Sequence, residues 1–274
     1  MAVTALTSIT AVSALDEDLA LALELADLAD SITHERYGAG DLEVVTKPDR
    51  SPVTDADTAA EQAVRNRLAQ RRPDDAVVGE EYGSHNVAGA RRWIIDPIDA
   101  TKNYVRGIPA WATLLALQDS GEGVVAVVSA PALGRRWWAA RGEGAFVSDT
   151  VSGASRPLHV STVAELAQAQ LSFAGLEDWA EGERLQALVK LVADTDRTRS
   201  FGDFWAYMLV AEGAMDIAID PVVSLWDLAA PQVILEEAGG RFTDLTGART
   251  PEGGDAIATN GLLHNAALAV VGRH

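Results

Sequence analysis

Asp96 and Asp99 stand on either side of Pro97 and Ile98 in the run Asp96-Pro97-Ile98-Asp99-Ala100-Thr101, directly after the apolar stretch Trp93-Ile94-Ile95. Two carboxylates this close on a tight turn can face one cation or bridge two, because like charges at short range repel unless an opposite charge joins them. Pro97 fixes its own φ and has no N–H, so the chain leaves the strand in a set direction. It also biases Asp96 toward an extended conformation. The Ile98 carbonyl offers a further oxygen ligand in such a turn, and Thr101 offers a hydroxyl that can orient a water. A helix starting near Asp99 would aim its first N–H groups at an incoming phosphate. Taken alone, the string also fits an Asp-capped helix after a proline turn, and that plainer reading is the better one for it alone.

Other acids sit at comparable places. Glu80 and Glu81 follow Ala76-Val77-Val78-Gly79, and Asp227 follows Trp226 at the start of a helical stretch. Hard oxygen ligands select Mg²⁺, Mn²⁺ or Ca²⁺ over soft metals. The chain has no cysteine, which excludes disulfides, thiolate zinc sites and cysteine nucleophiles, and its five histidines have no HExxH spacing. Its 22 Lys and Arg against 40 Asp and Glu give a net charge of −18. Such a surface repels nucleic acid and anionic membranes. It would repel a phosphate too, so an anion site must be locally reversed, and bound cations can do that. The same charge is also the ordinary solubility charge of many proteins.

The elements that must position these acids follow from periodicity and caps. Residues 15–37 read as a helix, with Asp16, Glu17 and Asp18 in its first turn and Leu21, Leu25, Leu28 and Ile32 on one face. A short strand at 42–46, a polar loop from Lys47 to Pro52 and a Thr54-capped helix at 55–72 come next. Strands are expected at 76–81, 92–96, 111–117, 123–129 and 136–140, with 142–146 turning onward. In the Trp137-Trp138 pair, alternation puts one ring in the core and one outward, although an interface or membrane-facing patch is the other reading. The second half alternates strand (170–174), helix (181–193), strand (197–199), helix (203–212), strand (215–220) and helix (226–238), which favours an α/β layer. No apolar run approaches the roughly 20 residues of a membrane span. The first residues lack the basic start of a secretory signal. The expectation is therefore a loose tail over 1–14 and a cytoplasmic protein.

Three blocks together carry a resemblance. WIIDPIDATKNYVRGIP (93–109) closely resembles the first signature of the inositol monophosphatase family, usually DPIDGTxNF; GEE at 79–81 matches its upstream acid motif. WDLAAPQVILEEAGG (226–240) matches its C-terminal signature. The blocks are in order and correctly spaced, and the resemblance runs from about residue 15 to the C-terminus. It implies a layered α+β or α/β fold, a sugar-phosphatase-like αβαβα sandwich of two sub-domains (15–150 and 151–274) sharing one active-site cleft. It implies a hydrolase of small phosphate monoesters holding two or three Mg²⁺ ions, with Mn²⁺ as a substitute, and a homodimer.

Carried over by position, the resemblance makes Glu80, Asp96, the Ile98 carbonyl, Asp99 and Asp227 metal ligands. Thr101 becomes the threonine that, with an upstream aspartate taken as Asp55, activates water, while Lys47 lies in a loop completing the site. The amides of Asp99, Ala100 and Thr101 would hold the phosphate. Gly202, Asp203 and Asp220 would meet the alcohol part, and Arg199 the phosphate or the pocket wall; Asp203 could instead cap a helix after Gly202. Ala100 replaces the signature glycine and is expected at negative φ in the first turn of a helix, where a methyl is tolerable. Within the family, the residues after the first signature look most like histidinol-phosphatases, whose substrate carries an amine and an imidazole that acids can bind. Inositol phosphate or another sugar phosphate is the second reading, and a catalytically silent metal-binding scaffold the third.

Overall fold

The computed structural model describes residues 14–85, 90–149, 151–173, 175–180 and 184–272. The expected tail therefore lies, Ala14 apart, outside the described residues, as do the first residues of the helix expected at 181–193. The chain begins with α1 (Ala14–Arg36), the hairpin β1 (Val44–Thr46) and β2 (Pro52–Thr54), and α2 (Asp55–Arg71). It continues through β3 (Ala76–Gly79), β4 (Gly83–His85), β5 (Arg91–Asp99), the single turn α3 (Thr101–Val105), β6 (Ala112–Asp119), β7 (Glu122–Ala130), β8 (Arg135–Ala140) and β9 (Gly144–Asp149). With β10 (Ser155–Pro157) these strands form an eight-stranded sheet in the order β10-β9-β8-β7-β6-β5-β3-β4, in which β3 and β5 pair in parallel and the other pairs are antiparallel.

The central strands are apolar on both faces because helices cover both. Trp93, Ile95 and Leu115 face Leu21, Leu25 and Val64 of α1 and α2. Ile94, Leu114 and Val128 face the opposite way, toward helices from the second half of the chain. Each such large side chain taken out of water contributes roughly 1.5–3 kcal/mol. Trp137 is fully buried on the second face, edge-on to Phe204, and Trp138 points the other way to stack on Phe146.

The second half supplies β11 (Gln170–Phe173), α4 (Leu176–Ala180), α5 (Leu185–Asp194), β12 (Arg197–Thr198), α6 (Asp203–Ala211), β13 (Ile217–Asp220), α7 (Leu225–Glu237), β14 (Arg241–Thr243), β15 (Ala256–Thr259) and α8 (His264–Val271). Its five-stranded sheet runs β12-β11-β13-β15-β14, parallel through β12, β11 and β13, antiparallel beyond. One face, through Ala218, Phe242 and Ala258, shares a core with α6, α7 and the first sheet. The other, through Leu171, Ile219 and Ile257, packs with α4, α5 and α8. The layers are therefore helix, sheet, helix, sheet, helix: the αβαβα sandwich that the resemblance implies. Helices α6 and α7, in the middle layer, are the elements that can bring second-half acids to the end of β5.

Candidate active site

The end of β5 departs from a regular ladder. Asp96 lies opposite Leu114 and Asp99 opposite Ala112, so β5 carries one extra residue between them. In a regular strand residues three apart point to opposite faces. The extra residue returns Asp99 to the face of Asp96, a bulge at a strand end that re-aims a side chain. That face belongs to Ile94 and Leu114 and is covered by α6 and α7. Local hydrogen bonds hold the turn: the Ile98 N–H donates to Asp96 Oδ1 at 3.0 Å, and Thr113 Oγ1 donates to the Pro97 carbonyl at 2.8 Å.

Asp227 arrives from the first turn of α7, where its Oδ2 accepts the Ser224 N–H at 2.8 Å. Asp96, Asp99 and Asp227 each bring a carboxylate oxygen within 4.8 Å of the others. Burial, with Glu80, Asp99 and Asp227 nearby, pushes the Asp96 carboxyl well above the usual range. Asp99 is raised in the same way by burial and by Asp203 and Asp227. Asp227 is pushed up to about 6, chiefly by burial. Three mutually repelling acids, two buried and Asp227 half-buried, with oxygen donors only suit a hard divalent cation, and the described residues lining the cleft around them include no His.

The cleft has a volume of about 630 Å³ and takes its walls from both halves of the chain. Glu80, Asp99, Ala100 and Thr101 line it from the first half, and Gly202, Asp203, Asp220 and Asp227 from the second. Glu80 stands close enough to the trio to raise Asp96, while its Oε1 meets the Lys47 ammonium at 2.8 Å and Lys47 also reaches Glu81 at 2.6 Å. The Ile98 carbonyl oxygen lies 3.0 Å from Thr101 Oγ1.

The partner of Thr101 is Asp57, not Asp55. Thr101 Oγ1 is 3.4 Å from Asp57 Oδ1, whereas Asp55 is paired with Arg36 at 2.7 Å. The reason is the cap of α2. Thr54 caps the helix and Asp57, three residues on, closes the capping box by accepting the Thr54 N–H through Oδ2 at 2.8 Å. That bond turns Asp57 back over the helix start and buries it, while Asp55, in the first helical position, points to α1. Burial raises the Asp57 carboxyl to about 7, against the hydrogen bonds from Thr54 and with help from Glu81 and Glu80. The Thr54-x-x-Asp57 spacing was the available signal for this residue.

Ala100 also differs from expectation. Its φ of 66° and ψ of 46° are left-handed, because it precedes α3 as the N-cap and is not yet in the helix. The signature glycine suits this position, and alanine bears a strain of roughly 1–2 kcal/mol there. Its methyl packs with Ile98, Tyr104 and Trp111, which offsets part of that strain. Ala100→Gly is therefore expected to change stability by less than about 1 kcal/mol, and Ala100→Val to destabilise by about 2 kcal/mol, since a β-branched residue fits this conformation worst. Urea unfolding of both variants checks this; equal tolerance of valine and glycine would rule out the left-handed assignment.

On the alcohol side, Gly202 has a φ of 72° and precedes α6 as its N-cap, and the Phe204 N–H donates to Asp99 Oδ2 at 2.8 Å. Desolvation and Asp178 raise the Asp203 carboxyl while Lys102 lowers it. Arg199 does not join the described lining. It follows β12 at the outer edge of the second sheet, is exposed, and donates to the Thr198 carbonyl at 2.7 Å. Tyr207, Glu177 and Asp178 also line the cleft, although no motif in the sequence marks them. Tyr207 sits in an apolar helical run and reads from sequence as core; Glu177 and Asp178 read as ordinary first-turn acids of α4.

These raised carboxyls set the sign of a pH effect. Asp57, at about 7, and Asp96 and Asp99, well above their usual value, bind protons more tightly folded than unfolded. Their contribution is present at low pH and is lost as pH rises through the folded values. Buried His264, lowered to about 4, acts oppositely, but only below about 6.5, where the unfolded imidazole charges. Between pH 6.5 and 8.5 the acids therefore decide, and chelator-treated protein should lose on the order of 5 °C in Tm. Excess Mg²⁺ is expected to remove most of that loss, as differential scanning calorimetry would read; a Tm that rises over this range contradicts the assignment.

The family model described as the inositol monophosphatase family matches residues 14–274. A histidinol-phosphatase of Mycobacterium tuberculosis is 56% identical over 254 residues, covering 92% of this chain and 96% of the relative. One from Streptomyces coelicolor is 52% identical, covering 92% of this chain and 96% of the relative. Among solved structures, the IMPase of Thermotoga maritima superposes with a TM-score of 0.82 at 29% identity, covering 93% of this chain and 96% of that one.

Proposed function

The chain belongs to the inositol monophosphatase family, and we infer that it hydrolyses L-histidinol phosphate to L-histidinol and inorganic phosphate. It is a phosphoric monoester hydrolase. The observation that carries the chemistry is the meeting of Asp96, Asp99 and Asp227 within 4.8 Å at a cleft shared by both halves. The identity of 56% over almost the whole length of a histidinol-phosphatase carries the substrate.

In this reading Glu80, Asp96, Asp99, Asp227 and the Ile98 carbonyl hold two or three Mg²⁺ ions, with Mn²⁺ as a substitute. Bound there, the cations supply the charge that draws an anionic ester into an acidic cleft and the Lewis acidity that makes water a nucleophile at neutral pH. Thr101 positions the attacking water; its single hydroxyl proton can be given to the Ile98 carbonyl or to Asp57. Asp57, with a carboxyl at about 7, suits a general base near neutrality. The Thr101 and Lys102 N–H groups precede the first internal hydrogen bonds of α3, made by Asn103 and Tyr104 to the Ala100 carbonyl, and are proposed to bind the phosphate with Asp99 and Ala100. Attack is direct: the water oxygen bonds to phosphorus as the ester P–O bond breaks, with no phosphoenzyme. Asp203 and Asp220 receive the alcohol part.

No helix among the described residues is long and apolar enough to cross a membrane. A cytoplasmic homodimer, without nucleic-acid or membrane partners, completes the reading. Phosphate release from histidinol phosphate, inositol 1-phosphate and fructose 1,6-bisphosphate at equal concentration tests it. With Mg²⁺, kcat/KM for histidinol phosphate should exceed the others by at least about tenfold, and chelator should abolish turnover. A preference for inositol 1-phosphate would overturn the substrate, and turnover in chelator would overturn the metal.

A further inference from the structure

Tyr207, on α6, is 1% exposed, and its hydroxyl donates to Asp220 Oδ2 at the end of β13. Both residues line the cleft. From this geometry we infer that Tyr207 is a positioning residue that holds Asp220 as the anionic receptor for the substrate's amine, so that the cleft selects cationic phosphate monoesters over polyol ones. The inference rests on the histidinol-phosphate reading and deepens it.

The charge of the cleft points the same way. Among the described lining residues, Glu80, Asp99 and Asp227 belong to the proposed cation ligands. Glu177, Asp178, Asp203 and Asp220 remain, and Lys102 is the cation that faces them. A polyol gives such a wall hydrogen bonds only, whereas an ammonium group gives it opposite charge as well. A carboxylate 7% exposed must be helped to stay ionised. Burial pushes Asp220 up to about 7, and Asp203 from α6, Asp227 from α7 and Asp178 from α4 add to that rise, while the Tyr207 hydroxyl opposes it. Asp99 of β5 faces the tyrosine. Arg184, the nearby cation, is taken up by the Pro221 carbonyl at 2.8 Å and by Asp255. The tyrosine ring itself is fixed by burial and by Phe242, 6.4 Å away between ring centres.

Tyr207→Phe keeps the ring and removes the donor. The probes are histidinol phosphate and the same ester lacking its amine, compared in kcat/KM with saturating Mg²⁺ from pH 6.5 to 8.5. Preference for the amine-bearing ester is expected to fall about tenfold in the variant at pH 6.5, and the deficit relative to wild type to shrink as pH rises and Asp220 ionises unaided. If both esters lose the same factor, or the deficit is flat with pH, the tyrosine is structural only and the proposal fails. Asp220→Asn is the second variant, with the preference expected to collapse at every pH; retention of the wild-type preference would overturn the proposal even if Tyr207→Phe folds poorly. Wild-type turnover of histidinol phosphate separately tests the reading beneath it.

Discussion

Asp99→Asn is expected to lower kcat at saturating Mg²⁺ by about a thousandfold or more while leaving the fold in place. The replacement is isosteric, and an amide oxygen can still accept the Phe204 N–H that bonds Asp99 Oδ2 at 2.8 Å. What disappears is one negative charge at the point where β5, α6 and α7 converge. The loss of rate and the effect on stability should have opposite signs. A carboxylate that burial, and then Asp203 and Asp227, push well above its usual range is a cost the folded chain must carry. Removing it should raise the Tm of chelated protein at pH 8 and reduce the stabilisation that Mg²⁺ gives. A merely structural aspartate would show neither pattern. Activity within tenfold of wild type, with an unchanged Mg²⁺ response, would remove Asp99 from the proposed metal centre.

Much of this site is legible in the chain because its parts are local. Asp96-Pro97-Ile98-Asp99 marks the end of a buried strand, Thr54 marks the start of α2, and Trp226-Asp227 marks the start of α7. Each signal depends on a few neighbouring residues, and the family blocks supply the convergence that spacing alone cannot. What escaped depends on contacts across the fold. The bulge that puts Asp96 and Asp99 on one face is defined only against Leu114 and Ala112 of β6. The left-handed Ala100 follows from where α3 begins, one residue later than its place in a helical first turn would need. Strands β14 and β15 and helix α8 are not legible in the chain because short buried segments such as Ala256–Thr259 lack any period that separates strand from helix. Arg199 is the reverse case: a cation near a phosphate site is attractive by type, yet here it follows the edge strand β12 and is exposed.

Asp57 and Asp55 offer the clearest test of which aspartate serves as the base, since they are two residues apart on one helix and differ in what they face. Asp57→Asn is expected to lower kcat by about 10²–10⁴-fold, the span general bases commonly contribute, and Asp55→Asn by less than about threefold. The asparagine at 57 can still accept the Thr54 N–H through its side-chain oxygen, so the capping box survives in part and loss of α2 does not explain a loss of rate. At 55 the substitution frees Arg36 from one partner while Asp41, 2.8 Å away, keeps the other, so little destabilisation follows. The pH profile carries the sharper test. With a base at about 7, wild-type kcat should fall tenfold per unit as pH drops below that value; protonation of Asp57 removes the acceptor for the Thr101 proton. In Asp57→Asn that limb should vanish and leave a low, flatter profile, whereas Asp55→Asn should keep the wild-type shape. Should Asp55→Asn lose the limb and Asp57→Asn retain it, the hydrogen bond between Thr101 and Asp57 would have no part in proton transfer, and the capping box would be only a cap.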